Sequence, residues 1–179
     1  PAAGARVRIV DAETRFPLFL ARGMCELVVG DEVVGRSDFE PDRDGLAWIS
    51  FQDTYQTRDP PVAPERARLS IDKEGYEAEQ VFELDARAPN GSEPLELALR
   101  PLAGWAMLRG RVVRAGEALP SFQVGMKAQP YGADPSRAGW QYGRVYTDAE
   151  GRFALRWRRD ATARAVTLFP HWTSWDEFG

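Results

Sequence analysis

Aromatic rings, one histidine, one thiol and one acidic loop are the side chains that could carry chemistry in this sequence. Tyr131, Trp140, Tyr142 and Tyr146 gather around Gly132-Ala133-Asp134-Pro135-Ser136-Arg137-Ala138-Gly139, and Trp172 and Trp175 flank Thr173-Ser174. Flat rings on a loop offer a large contact area at low entropy cost, so they could stack on sugar rings or anchor a partner chain. Tyr131, Trp140, Tyr142, Trp172 and Trp175 are therefore the candidate ligand-binding residues. The plainer alternative is that the same rings pack against a neighbouring domain or a further segment of the protein.

The remaining candidates read as structural. His171 lies in Pro170-His171-Trp172, an expected loop, and reads as a solvent-exposed side chain rather than a base. Cys25 sits in the apolar run Cys25-Glu26-Leu27-Val28-Val29 and reads as a buried, inert thiol. Glu40-Pro41-Asp42-Arg43-Asp44-Gly45 places oxygen ligands at alternate positions before a glycine, as a calcium loop of the EF-hand type begins. The bidentate acid expected at the end of such a loop would fall at Phe51, and Arg43 lowers the local negative charge. An acidic turn is the expectation, with a calcium site of another kind as the alternative.

Composition removes whole classes of chemistry. One His and one Cys exclude intramolecular disulfides and any metal site built from several His or Cys ligands. There is no Gly-rich phosphate loop, GxSxG elbow or HExxH motif. No catalytic residue, metal or cofactor is expected, and the chain does not read as an enzyme. A net charge of −4 argues against a general nucleic-acid binder, which needs a basic surface. No stretch approaches the roughly 20 apolar residues of a membrane-spanning helix. The small basic run Arg156-Trp157-Arg158-Arg159 reads as a solvated strand end.

The elements that must position these residues are strands. Val7-Arg8-Ile9-Val10 and Ala67-Arg68-Leu69-Ser70-Ile71 alternate polar with apolar, as half-buried strands do. Further strands are expected at 25–29, 46–51, 76–84, 94–99, 105–114, 122–128, 143–147, 152–157 and 165–169, with Gly, Pro, Asn and Asp clusters between them. Helix signals are poor: Pro64-Glu65-Arg66-Ala67 is too short for more than a turn. The stretch 53–64 reads as a long loop. Trp48, Trp105 and Trp157 lie in strands and are assigned to the cores.

The halves repeat one another. Val7-Arg8-Ile9-Val10, Pro17, Ala21-Arg22-Gly23-Met24 and Asp44-Gly45-Leu46-Ala47-Trp48 recur in order as Gly110-Arg111-Val112-Val113, Pro120, Gln123-Val124-Gly125-Met126 and Glu150-Gly151-Arg152-Phe153-Ala154. Phe153 and Leu155 are expected on the core face of the second half, and Leu46 and Trp48 on that of the first. The join falls near Leu99-Arg100-Pro101-Leu102, dividing the chain into 1–101 and 102–179.

This order of strand, proline-bearing loop, strand and Thr147-Asp148-Ala149-Glu150-Gly151-Arg152-Phe153 resembles the carboxypeptidase regulatory-like domain. In the first half the matching residues are Asp44 and Gly45, then Lys73-Glu74-Gly75-Tyr76 and Leu95-Glu96-Leu97-Ala98-Leu99. The resemblance implies an all-β chain of two tandem Ig-like, prealbumin-like (transthyretin-like) antiparallel β-sandwiches. It departs from the family pattern twice. Residues 37–44 lengthen the first hairpin and replace its compact turn. The second half runs short of about two strands, so a further segment of a longer protein, or another protein, is expected to complete it. The expected role is that of structural, spacing or adhesion modules in a larger bacterial protein, extracellular or of the periplasm or cell envelope. A carbohydrate-binding module using the loop aromatics, with a glycan as partner, is the alternative.

Overall fold

The computed structural model describes residues 4–51, 63–78, 80–88, 93–130, 141–158 and 163–170. Among these every regular element is a strand, as the periodicity predicts. The chain divides into two compact units, Pro1–Pro101 and Leu102–Gly179. Unit 1 comprises β1 (Gly4–Asp11), β2 (Arg22–Val29), β3 (Glu32–Phe39), β4 (Leu46–Ser50), β5 (Arg66–Asp72), β6 (Gln80–Asp85) and β7 (Leu95–Leu99). Unit 2 comprises β8 (Trp105–Arg111), β9 (Val113–Arg114), β10 (Glu117–Ala118), β11 (Gln123–Pro130), β12 (Gln141–Tyr146), β13 (Arg152–Arg158) and β14 (Ala163–Pro170).

Unit 1 has a sheet ordered β4-β1-β7 and a sheet ordered β3-β2-β5-β6. Alternating residues from both meet in one core: Val7, Ile9, Ile49, Leu97 and Leu99 from the first, Cys25, Leu27, Leu69 and Ile71 from the second. Each fully buried aliphatic there contributes about 1.5–3 kcal/mol relative to exposure. On the opposite face of the second sheet, Arg36, Glu26, Arg68 and Glu83 form a row across β3, β2, β5 and β6, joined by ion pairs. This is the polar-out half of the alternation, which keeps one face of an antiparallel sheet in water.

Four expectations are corrected. First, β1 and β7 pair in parallel, from Val7↔Leu95 to Asp11↔Leu99, within sheets that are otherwise antiparallel. They are the first and last strands of the unit, so no tight turn dictates their relative direction. Second, residues 37–39 do not lengthen a hairpin. They belong to β3, whose Gly35 and polar Arg36, Ser37 and Asp38 hide its alternation. Third, Trp48 is not in the core. It is 53% exposed, because Ala47 and Ile49 take the inward positions of β4, and its ring lies over Gly4. Fourth, the strand expected over 76–84 begins only at Gln80, as β6, and Tyr76 makes an isolated bridge to Pro101 instead.

Unit 2 reproduces part of this plan. β8 pairs with β13 as β1 does with β4, and the order β12-β11-β14 matches β3-β2-β5. Its core is smaller, with Val124, Met126, Val145, Phe153 and Leu155 fully inside and Leu108, Val112, Phe122 and Trp157 packed against them. Among the described residues, no strand takes the positions that β6 and β7 hold in unit 1.

Candidate functional site

Most of the loop aromatics fall outside what the structure describes. Tyr131, Trp140, Trp172 and Trp175, like His171, lie outside the described residues. Tyr142 falls in β12, with its backbone opposite Lys127 of β11. Tyr146, at the end of the same strand, pairs with Gln123 and is half-buried.

Cys25 is wholly buried in the core of unit 1. Burial is the main cause of a thiol pKa pushed up to about 11; a hydrogen bond with Ser37 works the other way, and the Glu26 carboxylate adds to the rise. A thiol held protonated and sealed from solvent is neither a nucleophile nor a metal ligand at neutral pH.

The acidic segment is a turn. Asp42 Oδ1 accepts from the Asp44 and Leu46 amides, each at 2.9 Å, and the Asp42 carbonyl accepts from the Gly45 amide. These bonds account for the Asp42 carboxylate as a turn former, and among the described residues no group of three or more His, Cys, Asp or Glu could hold a metal ion. The same device recurs in unit 2: Asp148 Oδ1 accepts from the Glu150 and Arg152 amides, and the Asp148 carbonyl from Gly151. The true equivalent of Asp148 is therefore Asp42 rather than Asp44. Phe153 and Leu155 then correspond to Ala47 and Ile49, and these are the inward residues of their strands.

The second turn has a pH signature. Burial works to raise the Asp148 carboxyl, but the amides of Arg152 and Glu150 and the Arg152 guanidinium outweigh it and hold it below its ordinary 3.8. A carboxyl depressed in the folded state stabilises fully above its unfolded value, and that stabilisation is lost as pH falls through the folded value. Asp148→Ala is expected to cost unit 2 about 1 kcal/mol at neutral pH, as lost turn hydrogen bonds do. The difference between variant and parent should narrow under acid, as read by hydrogen exchange in unit 2 from pH 6 to pH 2. A difference independent of pH would contradict this.

A shallow groove of about 430 Å³ crosses β5 and β6, lined by Glu65, Arg66, Glu83, Leu84, Asp85 and Arg87. Its charges are already engaged. Arg87 Nη2 donates to Glu65 Oε1 at 2.6 Å, the Gly30 amide donates to Glu65 Oε2 at 3.1 Å, and the Arg87 amide donates to Asp85 Oδ1. The Gly30 amide and the Arg87 charge hold the Glu65 carboxyl below its usual range. Lys73 is half-buried at the end of β5, and burial pulls its ammonium down against Glu74 and Asp72; it does not line the groove. No acid–base pair with a shared reacting position forms here.

The buried polar groups brace the fold. Gln80 Oε1 accepts from the Arg100 amide at 2.8 Å, while Gln80 Nε2 donates to the Arg100 and Glu77 carbonyls. Thr147 Oγ1 accepts from the Phe122 amide and donates to the Leu119 carbonyl, fastening the approach to β11 beside the Asp148 turn. Sequence reading missed Asp11 and Gln80, since their partners Tyr76 and Arg100 lie 65 and 20 residues away.

No family model and no curated protein matches the chain. Among solved structures it is similar to "The Bacillus anthracis TIE protein", at 12% identity and a TM-score of 0.35, over 94% of this chain and 31% of that one. The chain thus spans less than a third of the length of the protein it matches there.

Proposed function

We propose that the chain is a non-catalytic structural module of a larger protein of the bacterial envelope or exterior, whose task is to hold distance and bear tension. The observation that carries this reading is the parallel β1–β7 pair. Its strands are the first and last of unit 1, so tension on the two ends slides them along each other. All pairs from Val7↔Leu95 to Asp11↔Leu99 are then loaded at once, together with the Ala12 amide on the Leu99 carbonyl. Shear of this kind must break its hydrogen bonds together, whereas a hairpin pulled at its open end loses them one at a time.

The exit of the chain from unit 1 supports the same reading. Arg100 is held by Gln80 through backbone N–H and C=O, by Glu77 through an ion pair at 2.9 Å, and by the Glu77 amide on its carbonyl. The next residue, Pro101, bridges Tyr76. These contacts keep force from peeling β7 from its end.

Stretching the whole chain between handles on its two ends tests the reading. Unit 1 is expected to open in one rupture, releasing roughly 3.6 Å per residue. Gln80→Ala is expected to lower the rupture force by freeing Arg100 to peel first. Opening in several small steps at low force, or turnover of a substrate by the homogeneous protein, would overturn the reading.

A further inference from the structure

We infer that the outer edge of β8 and β9 is a docking site for an extended segment of a separate polypeptide, which adds as a parallel strand in the pattern apolar-acidic-apolar-small-apolar. This deepens the reading of the chain as a non-catalytic module and rests on it.

Unit 1 supplies the template. Ile9 donates its amide to the Gly45 carbonyl, and Val112 donates its amide to the Gly151 carbonyl, both at 2.8 Å. Val7 pairs with Ala47 on β4, and Gly110 pairs with Phe153 on β13. Val7, Arg8, Ile9, Val10 and Asp11 therefore correspond to Gly110, Arg111, Val112, Val113 and Arg114. In unit 1 that edge carries β7, with Leu95, Glu96, Leu97, Ala98 and Leu99 opposite those five residues in order. In unit 2 the described structure places nothing there: β8 has β13 on one side and an open ladder on the other.

Burial records the difference. The inward row Ala5, Val7 and Ile9 is at most 1% exposed, because Leu97 and Leu99 close the core beside it. The corresponding row Leu108, Gly110 and Val112 is only half-buried, and Val113 is 50% exposed. An open edge flanked by half-covered apolar side chains is what strand addition exploits: main-chain bonds bind the segment, and side-chain positions select it.

Charge selects the occupant. Arg109, Arg111 and Arg114 are all exposed along this edge. In unit 1 the strand residue opposite Arg8 is Glu96, whose carboxylate forms its ion pair with Arg15. An acidic residue at the second position would lie opposite Arg111, whose Nε donates to the Glu150 carbonyl at 2.9 Å while its guanidinium stays exposed, and leucine-sized residues at the third and fifth would continue the row beside Val112. Every described strand of unit 1 already has its place in that unit's sheets, so none of them is free to serve.

The test uses the full chain, isotope-labelled, and a synthetic peptide with the sequence of residues 93–100, Glu-Pro-Leu-Glu-Leu-Ala-Leu-Arg. Saturable shifts confined to residues 108–114 and their neighbours are expected. A peptide with lysine for the central glutamate should bind about tenfold more weakly, and Arg111→Glu should reverse that preference. No response at millimolar peptide, an equal response to a peptide with serine at its second and third leucines, or shifts centred on β1 would each overturn the proposal. So would protection of the Arg109, Arg111 and Val113 amides, which alternate with the Val112 amide already bonded to Gly151, before any peptide is added: if independent of protein concentration it assigns the edge to this same chain, and if rising with concentration to a second copy. None of these outcomes alters the rupture of unit 1 under force, so failure here is distinct from failure of the spacer reading.

Discussion

Asp11→Ala is expected to destabilise unit 1 by about 3–4 kcal/mol, as removal of one member of a buried, charge-assisted hydrogen-bond network does. Asp11 is 1% exposed. Its Oδ1 accepts from the Glu13 and Thr14 amides at 2.9 and 2.8 Å, which folds residues 11–16 into the turn after β1. Its Oδ2 accepts from the Tyr76 hydroxyl at 2.8 Å. Alanine leaves all three donors without this acceptor and opens space beside Leu99, the residue opposite in the parallel ladder. Asp11→Asn keeps one acceptor oxygen for the turn and should cost about half as much. Tyr76→Phe removes a single donor and should cost about 1–2 kcal/mol. A double-mutant cycle between Asp11→Ala and Tyr76→Phe, read by hydrogen exchange in unit 1, should return a coupling of about 1 kcal/mol or more. Additive effects would mean that the carboxylate and the phenol do not support each other.

Gly45→Ala and Gly151→Ala are each expected to destabilise their own unit by about 2–3 kcal/mol, the cost of a side chain forced into left-handed backbone against a neighbour. Both glycines have φ of +73°. A Cβ would stand 2.5 Å from the Ile9 carbonyl oxygen at the first and 2.5 Å from the Val112 carbonyl oxygen at the second. Those oxygens are engaged by the amides of Leu18 and Leu119, so they cannot retreat without breaking a second hydrogen bond. Substitution at Gly30 or Gly116 is the control. Both have positive φ, at 59° and 86°, but a Cβ there meets nothing within 4 Å. The control variants should lose only the conformational part, about 1 kcal/mol. Equal losses at Gly45 and Gly30 would show that contact with the strand carbonyl contributes nothing.

These glycine pairs also show how far the amino-acid order could be read. The acid-to-glycine turns were legible in both halves because they are local. An Asp side chain that bonds amides two and four residues on, followed by a residue free to take positive φ, needs no distant partner. Alternation likewise revealed most strands, since one face of each must be apolar to build a core. It failed where pattern and packing part. β3 carries too few apolar residues to announce itself, and Trp48 looks like core until the inward row of β4 is seen to be Ala47 and Ile49. The equivalence of Asp42 with Asp148 was hidden by Asp44, an acid nearer the glycine whose amide bonds to Asp42.

Residue order alone thus determined that the chain is built of strands, that its halves echo one another, and that it can form neither an intramolecular disulfide nor a metal site of several His or Cys ligands. Those features follow from side-chain type and short-range spacing. Tertiary structure alone decided which strands are neighbours: that β1 lies parallel to β7, that Asp11 meets Tyr76, that Gln80 grips Arg100, and that among the described residues no strand pairs with the matching edge of β8. Each of these joins residues far apart in the chain, and they are brought together by burial of two apolar sheet faces, which dictates that sheets stack but leaves the order of strands within them to the packing of the whole unit.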